Sequence, residues 1–393
     1  MTPPDRSKPR VTGVLMLAAD PASTITEIRL TSPLTPLVAA GRITLRSLAW
    51  HECRPTDLDG CDLMIGQRPI SARHLRLLQA AHGRGAAVVV DVDDLLTQPA
   101  PHLLSHATLA RQAPWVLLAL DEADRVSVST PRLAAALAAP GREIRVVPNY
   151  ASPLARRVTP TAAVDAPATV LLAASDAVAA GPAFEALRRL QAARGAQLRL
   201  VAVGPVAASA AAAGLVVEAQ PLMPRERFLA FAVALPRAVA VIPLDDSAFS
   251  ASKSAVKWFD FAAVGLPTLM SDRPPYSDVV EHGHTGWLLP DHADAWTAAL
   301  ARALDEPALR ERIANAAEQA VHTQHSMARC TEAWRALVDE IDAARAARQV
   351  RHRDLAWPER LLAPWQAVVV AIRRANRARL ARRQQRPGTD GSG

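Results

Sequence analysis

Lysine is scarce in this chain of 393 residues: Lys8, Lys253 and Lys257 are its lysines, and arginine supplies the other fixed cations. Two of the three fall in the segment Ser252–Asp260, SKSAVKWFD. On a helix starting near Ser252–Ser254, Lys253, Lys257 and Asp260 share one face at i, i+4 and i+7. Two ammonium groups beside a helix N-terminus neutralise a diphosphate, because first-turn N–H groups and the helix dipole already favour an anion there. Ser252 and Ser254 stand at that junction and join the set. A carboxylate two turns in accepts hydrogen bonds from a ribose diol, which makes Asp260 the nucleotide-side candidate. The alternative reading of the same spacing is a Lys–Asp ion pair on a solvated helix face, which contributes little.

A second cluster is DVDD at Asp91–Asp94, closing the apolar run Ala86–Val90. A carboxylate at the end of a buried strand orients or deprotonates a substrate hydroxyl. Asp93 and Asp94 are the catalytic candidates, with Asp91 facing the same substrate. Clustered carboxylates also fit a divalent metal, and carboxylates at a strand end also cap the next helix. Arg29, in the first loop, reaches either a phosphate or the second substrate, or is a surface residue. The chain has no Gly-x-Ser-x-Gly elbow and no Walker loop. It also has no Gly-x-Gly-x-x-Gly after Val11–Ala18, which argues against a dehydrogenase.

Those residues need a scaffold, and the rest of the sequence describes one. Half the residues are hydrophobic and 21% are charged, a globular composition that excludes a disordered chain. Short continuous apolar runs alternate with helical stretches through both halves. Such runs are strands buried on both faces, so the pattern predicts parallel sheets covered by helices. Prolines 148, 153, 160 and 167 break the pattern once. The expected fold is therefore α/β: two Rossmann-like, doubly wound parallel-sheet domains with a C-terminal helical extension. The first domain covers 1–150, a linker 151–168, the second domain 169–340, and a helical, Arg-rich tail 341–393. Cys53, Cys61 and Cys330 have no CxxC spacing, and predict reduced thiols without zinc or disulfides.

The order of parts in Val241–Pro290 resembles the C-terminal half of retaining GT-B glycosyltransferases, of the large family 4 (group 1) type. There a loop and helix carry two glutamates seven apart, then an Ala-x-Gly-x-Pro strand entry and a Gly-x-x-Gly turn. KWFDFAAVGLPTL and HGHTGWLLP stand in those places. The resemblance gives Asp260 the ribose-holding role of the second acid. The first acid falls on Lys253, a reversal of charge that suggests phosphate contact. The basic pair usual after the first strand of the second domain is missing from Ala174–Pro182, and Lys253 and Lys257 are expected to supply that charge. In the first half, EIRLTSPLTPLVAAG, DLMIGQRP, VVVDVDDLL, VSVSTPRLAAAL and IRVVPNY follow in the family's order.

What the resemblance implies is a transferase that moves a sugar, with retention, from a nucleotide-diphosphate sugar to a glycan or lipid-linked acceptor. It also implies no cofactor and no bound metal. The alternatives are a non-catalytic protein of the same fold that binds a nucleotide-sugar or glycan, and a sugar-nucleotide epimerase or phosphorylase. Between Arg345 and Arg386 stand twelve arginines against Asp354 and Glu359. That cationic tail, mixed with Trp357, Trp365 and Ile372, is expected either to lie on an anionic membrane surface or to pack on the body. Nucleic acid is not an expected partner, since no aromatic interleaving accompanies the charge. No signal peptide is read at the N-terminus and no apolar run is long enough to span a bilayer. The expected location is cytoplasmic, at most peripheral at the inner membrane face.

Overall fold

The computed structural model describes residues 12–101, 103, 105–153, 166–172 and 181–354, with side chains through 345. Most of the linker, the segment 173–180 and the arginine-rich tail beyond 354 lie outside the described residues. The chain divides into two compact units, Met1–Val338 and Asp339–Gly393. Of the second, the described part is the end of the helix Met327–Asp354.

The first unit contains two six-stranded parallel sheets. The first sheet is built from β1 (Thr12–Ala18), β2 (Ile43–Ala49), β3 (Leu63–Gln67), β4 (Ala87–Val92), β5 (Arg125–Val128) and β6 (Ile144–Val146), in the order β2-β1-β3-β4-β5-β6. The second is built from β7 (Ala168–Leu172), β8 (Leu198–Val203), β9 (Glu218–Gln220), β10 (Ala238–Ile242), β11 (Thr268–Ser271) and β12 (Trp287–Leu289), in the order β12-β11-β10-β7-β8-β9. These are the doubly wound sheets expected from the alternating pattern.

The continuous apolar runs are central strands. Every residue of β3, β4 and β7 is buried. Side chains alternate between faces, so β7 and β8 feed two separate cores. Val170, Leu172 and Leu200 pack under the helices Gly181–Arg194 and Ala293–Asp305. Leu171 and Val201 face the opposite layer, with Trp258 and Phe261 of the helix Val256–Ala263.

That helix ends where the sequence says it must. Gly265 has φ +72°, donates to Ala262 O at 3.0 Å, and is followed by Leu266 N donating to Phe261 O at 2.8 Å. This pairing closes the last carbonyls, and it needs a residue free to adopt the left-handed region. Pro267 then cannot continue a helix, and β11 begins at Thr268.

In each sheet the strand order reverses once, beside β1 and beside β7. Crevices outside the carboxyl ends at such reversals are where ligands bind in open α/β sheets. The chain passes between the sheets near Tyr150–Ser152, where Ala151 N donates to His325 O at 2.8 Å. It returns to the first sheet's side after Met327: Thr331 donates to Pro33 O and Trp334 Nε1 to Arg29 O, at 3.0 and 2.8 Å.

Candidate functional site

The carboxyl ends of both sheets open on one cavity of about 240 Å³. From the first sheet come Arg68 after β3, Asp93 and Asp94 after β4, and Asn149 beyond β6. From the second come Ile242–Asp245 at the end of β10, and Lys253, Ser254 and Lys257 from the following loop and helix. The structure thus brings Asp93, Asp94, Lys253, Ser254 and Lys257 together across the cleft.

The loop that carries the lysines is less regular than a single helix. Ser247 accepts from Ser250 N at 3.1 Å and caps a short helix, Ala248–Ala251. A turn follows, and the helix Val256–Ala263 starts behind Ala255. Lys253 therefore sits in the turn and Lys257 in the first helical turn. The expectation that Lys253, Lys257 and Asp260 share one helix face is corrected accordingly. Ala255, which precedes that helix, makes no side-chain cap hydrogen bond. Lys253 Nζ lies 4.8 Å from the centre of the Phe249 ring, a cation–π contact that steadies the ammonium.

Four expected site residues sit elsewhere. Arg29 and Asp91 are wholly buried and joined by a 2.7 Å ion pair. Arg29 also donates to Val147 O and Asn149 Oδ1, while Asp91 Oδ1 accepts from Ser127 at 2.7 Å. These bonds hold the strand ends behind the cavity together. The three carboxylates of DVDD consequently do not converge, since Asp91 faces inward and Asp93 and Asp94 face Arg68. Ser252 is buried, its hydroxyl donating back to Ala248 O and its carbonyl accepting from Thr130 across the cleft.

Asp260 is not among the cavity-lining residues. Arg225 grips both of its oxygens, with Nε at 2.8 Å from Oδ2 and a second bond to Oδ1. Oδ1 also accepts from Ser152 N at 3.1 Å, and Arg225 donates to Tyr150 O at 3.2 Å. Burial raises the Asp260 pKa against the pull of Arg225 and the Ser152 amide. Asp260 thus ties the second sheet's helix to the crossing between the sheets.

Arg68 was not among the residues singled out from the sequence, and it dominates the first sheet's wall of the cavity. It follows β3 directly, and its amide donates to Asp91 O at 2.9 Å, extending the ladder. Its φ of +46° is rare for a residue with a side chain and costs about 1–2 kcal/mol. That backbone turn aims the guanidinium into the cavity. Nε lies 2.5 Å from Asp93 Oδ1, and Nη2 lies 2.6 Å from Asp93 Oδ2 and 2.8 Å from Asp94 Oδ2. Burial opposes the charge on Arg68, but Asp93 and Asp94 more than offset it and hold the guanidinium protonated. Burial and then Asp93 raise the Asp94 pKa, against Arg68 and Lys253. The signal for Arg68 was positional: GQRP places it at the carboxyl end of a buried strand.

Residues 260–320 match the family model described as Glycosyl transferases group 1. Among solved structures, sucrose-phosphate synthase from Thermosynechococcus elongatus is similar at 16% identity, covering 85% of this chain and 100% of that one, with a TM-score of 0.63. HepE from Anabaena, solved with UDP and glucose, is similar at 14% identity, covering 84% and 100%, with a TM-score of 0.59. A glycosyltransferase from Rickettsia africae gives 11% identity, 84% and 98% coverage, and a TM-score of 0.54. No curated protein matches the sequence. The chain has the GT-B fold, and the family match is confined to residues 260–320.

Proposed function

We propose that the protein is a glycosyltransferase that takes its sugar from a nucleotide-diphosphate donor. The observation that carries this reading is a cavity where the carboxyl ends of two parallel sheets meet, with lysines on one wall and a carboxylate pair on the other. The diphosphate lies against Lys253, Lys257 and the N-terminus of the helix Val256–Ala263. There it is neutralised as negative charge grows on the leaving group. The acceptor hydroxyl lies at Asp93 and Asp94, and closure of the two halves keeps water from the sugar. Ser254 completes the donor wall. Asp260, held by Arg225, sets the angle of that wall and makes no contact with donor.

The similarity to HepE, solved with UDP and with UDP-glucose, favours a uridine nucleotide as the first donor to try. Resemblance to the retaining family supports retention at the anomeric carbon and a hexosyl group. A glycan or lipid-linked acceptor, a role in polysaccharide assembly and a peripheral site at the membrane rest on that resemblance and on the arginine-rich tail. No helix among the described residues is long and apolar enough to cross a membrane. The test is incubation with a panel of UDP-, GDP-, ADP- and CDP-sugars, following release of the nucleoside diphosphate by mass spectrometry. Release from one nucleotide class, lost in Lys253→Ala, supports the reading. Nucleotide-sugar binding without release from any class points to a non-catalytic binding protein of the same fold.

A further inference from the structure

We infer that Arg68 is the positioning residue of the acceptor wall: it takes both oxygens of Asp93 and one oxygen of Asp94, and so presents Asp94 Oδ1 as the carboxylate oxygen that meets the acceptor hydroxyl. This rests on the glycosyl-transfer reading of the cavity. It separates two aspartates that the sequence treats as equivalent.

Arg68 Nε and Nη2 occupy Asp93 Oδ1 and Oδ2, so Asp93 is spent on holding the guanidinium. The same Nη2 reaches Asp94 Oδ2 at 2.8 Å. Among the described residues none donates a hydrogen bond to Asp94 Oδ1, and Asp94 lines the cavity with a quarter of its side chain exposed. A carboxylate oxygen left open in a polar cavity accepts from a substrate hydroxyl with no protein bond to break. Asp93, at 5% exposure, has no such oxygen. The guanidinium is a rigid planar fork, and only a fork sets two carboxylates at a fixed relative angle; an ammonium is a point charge. The left-handed backbone at Arg68 fits this role, since strain of that kind persists where surrounding structure over-determines it.

The charged groups around Asp94 are Asp93 on its own loop, Arg68 after β3, and Lys253 from the facing wall, with Lys257 and Asp245 lining the same cavity. Arg68 and Lys253 both favour the ionised form of Asp94. Removing Arg68 therefore raises the pH at which Asp94 loses its proton, and frees Asp93 to compete for the hydroxyl.

The experiment uses the full chain labelled with ¹³Cγ-aspartate, titrated by NMR in the wild type, Arg68→Lys, Arg68→Met, Asp93→Asn and Asp94→Asn. A carboxyl resonance that titrates above the ordinary Asp range and vanishes in Asp94→Asn identifies Asp94. The inference expects it to move to higher pH by at least one unit in Arg68→Met and to return part of the way in Arg68→Lys. An Asp94 resonance unmoved in Arg68→Met, in a protein still folded by its amide spectrum, overturns it. In parallel, release of UDP from UDP-glucose into water is followed in the same variants. A fall in kcat of a hundredfold or more in Asp94→Asn, with KM unchanged and a smaller fall in Asp93→Asn, supports the assignment. Equal falls in both, or a larger fall in Asp93→Asn, count against it. Binding of no nucleotide-sugar by any variant sinks the glycosyl-transfer reading and with it the acceptor role, while the titration still decides whether Arg68 positions Asp94.

Discussion

Asp260→Ala separates the two roles open to this carboxylate. In the structure it is the partner of Arg225, and both side chains are largely buried. Truncating it leaves the guanidinium in the interior without its counter-charge, which costs about 3–5 kcal/mol in comparable sites. The Ser152 amide loses its acceptor as well, worth about 1–3 kcal/mol, though the two terms overlap and do not simply add. Part of the loss is recovered through Tyr150, whose carbonyl accepts from Arg225 and whose ring centre lies 5.5 Å from its guanidinium carbon. A net loss of about 3 kcal/mol corresponds to a melting temperature lower by about 4 °C in a unit the size of Met1–Val338. The assay is a thermal and urea melt of Asp260→Ala, Arg225→Met and the double variant Asp260→Leu/Arg225→Met. The two single variants should lose stability, and the double variant should recover most of it, since an apolar pair of similar volume is tolerated where a lone charge is not. Nucleotide affinity of the double variant should stay within a few fold of wild type. The reasoning is refuted if Asp260→Ala melts like the wild type while losing nucleotide binding, because that result makes Asp260 a ligand contact.

Three further perturbations follow from the same contacts. Lys253→Ala and Lys257→Ala should each weaken nucleoside diphosphate binding by about 10-fold or more, the usual worth of a charge-assisted hydrogen bond, as read by calorimetric titration. Phe249 belongs to the second half of the chain but packs into the core of the first sheet, so Phe249→Ala should cost about 3–5 kcal/mol in a urea melt; a change below about 0.5 kcal/mol means the ring is not buried there in solution. His82 bridges Glu122 and Asp124 at 3.0 and 2.8 Å, and these partners raise its pKa to about 9 against the opposing effect of burial. Its folded pKa is above the unfolded value, so its contribution is complete below about pH 6.5, fades between there and pH 9, and is gone above, for a total of about 3 kcal/mol. Urea midpoints of wild type and His82→Gln should therefore differ at pH 6 and converge near pH 10.

How much of this was legible from the chain depends on the range of the interaction. Continuous apolar runs such as Ala86–Val90 and the Ala-x-Gly-x-Pro stop at Ala263–Pro267 are local signals, and both sheets follow from them. The lysines at 253 and 257 stood out by rarity, and the cavity contains both. What failed was partner assignment. Arg29 and Asp91 are 62 residues apart and pair in the interior, where a sequence shows only two charges near plausible loops. Asp260 and Arg225 are 35 residues apart and meet at the crossing between sheets. The single helix expected from Ser252 onward is broken because Ser252 ends one helix and Ala255 starts another. Arg68 was hidden because its role depends on a backbone turn that no residue type announces.

The central claim is that Lys253 and Lys257 hold a nucleoside diphosphate at the cleft. Its most direct test is calorimetric titration of UDP, GDP, ADP and CDP into the full chain and into the Lys253→Ala/Lys257→Ala double variant. The account predicts that one nucleotide binds the wild type and that the double variant, equally folded, loses that affinity by about a hundredfold or more, from two charge-assisted contacts. A double variant that binds the same nucleotide as tightly as the wild type contradicts it.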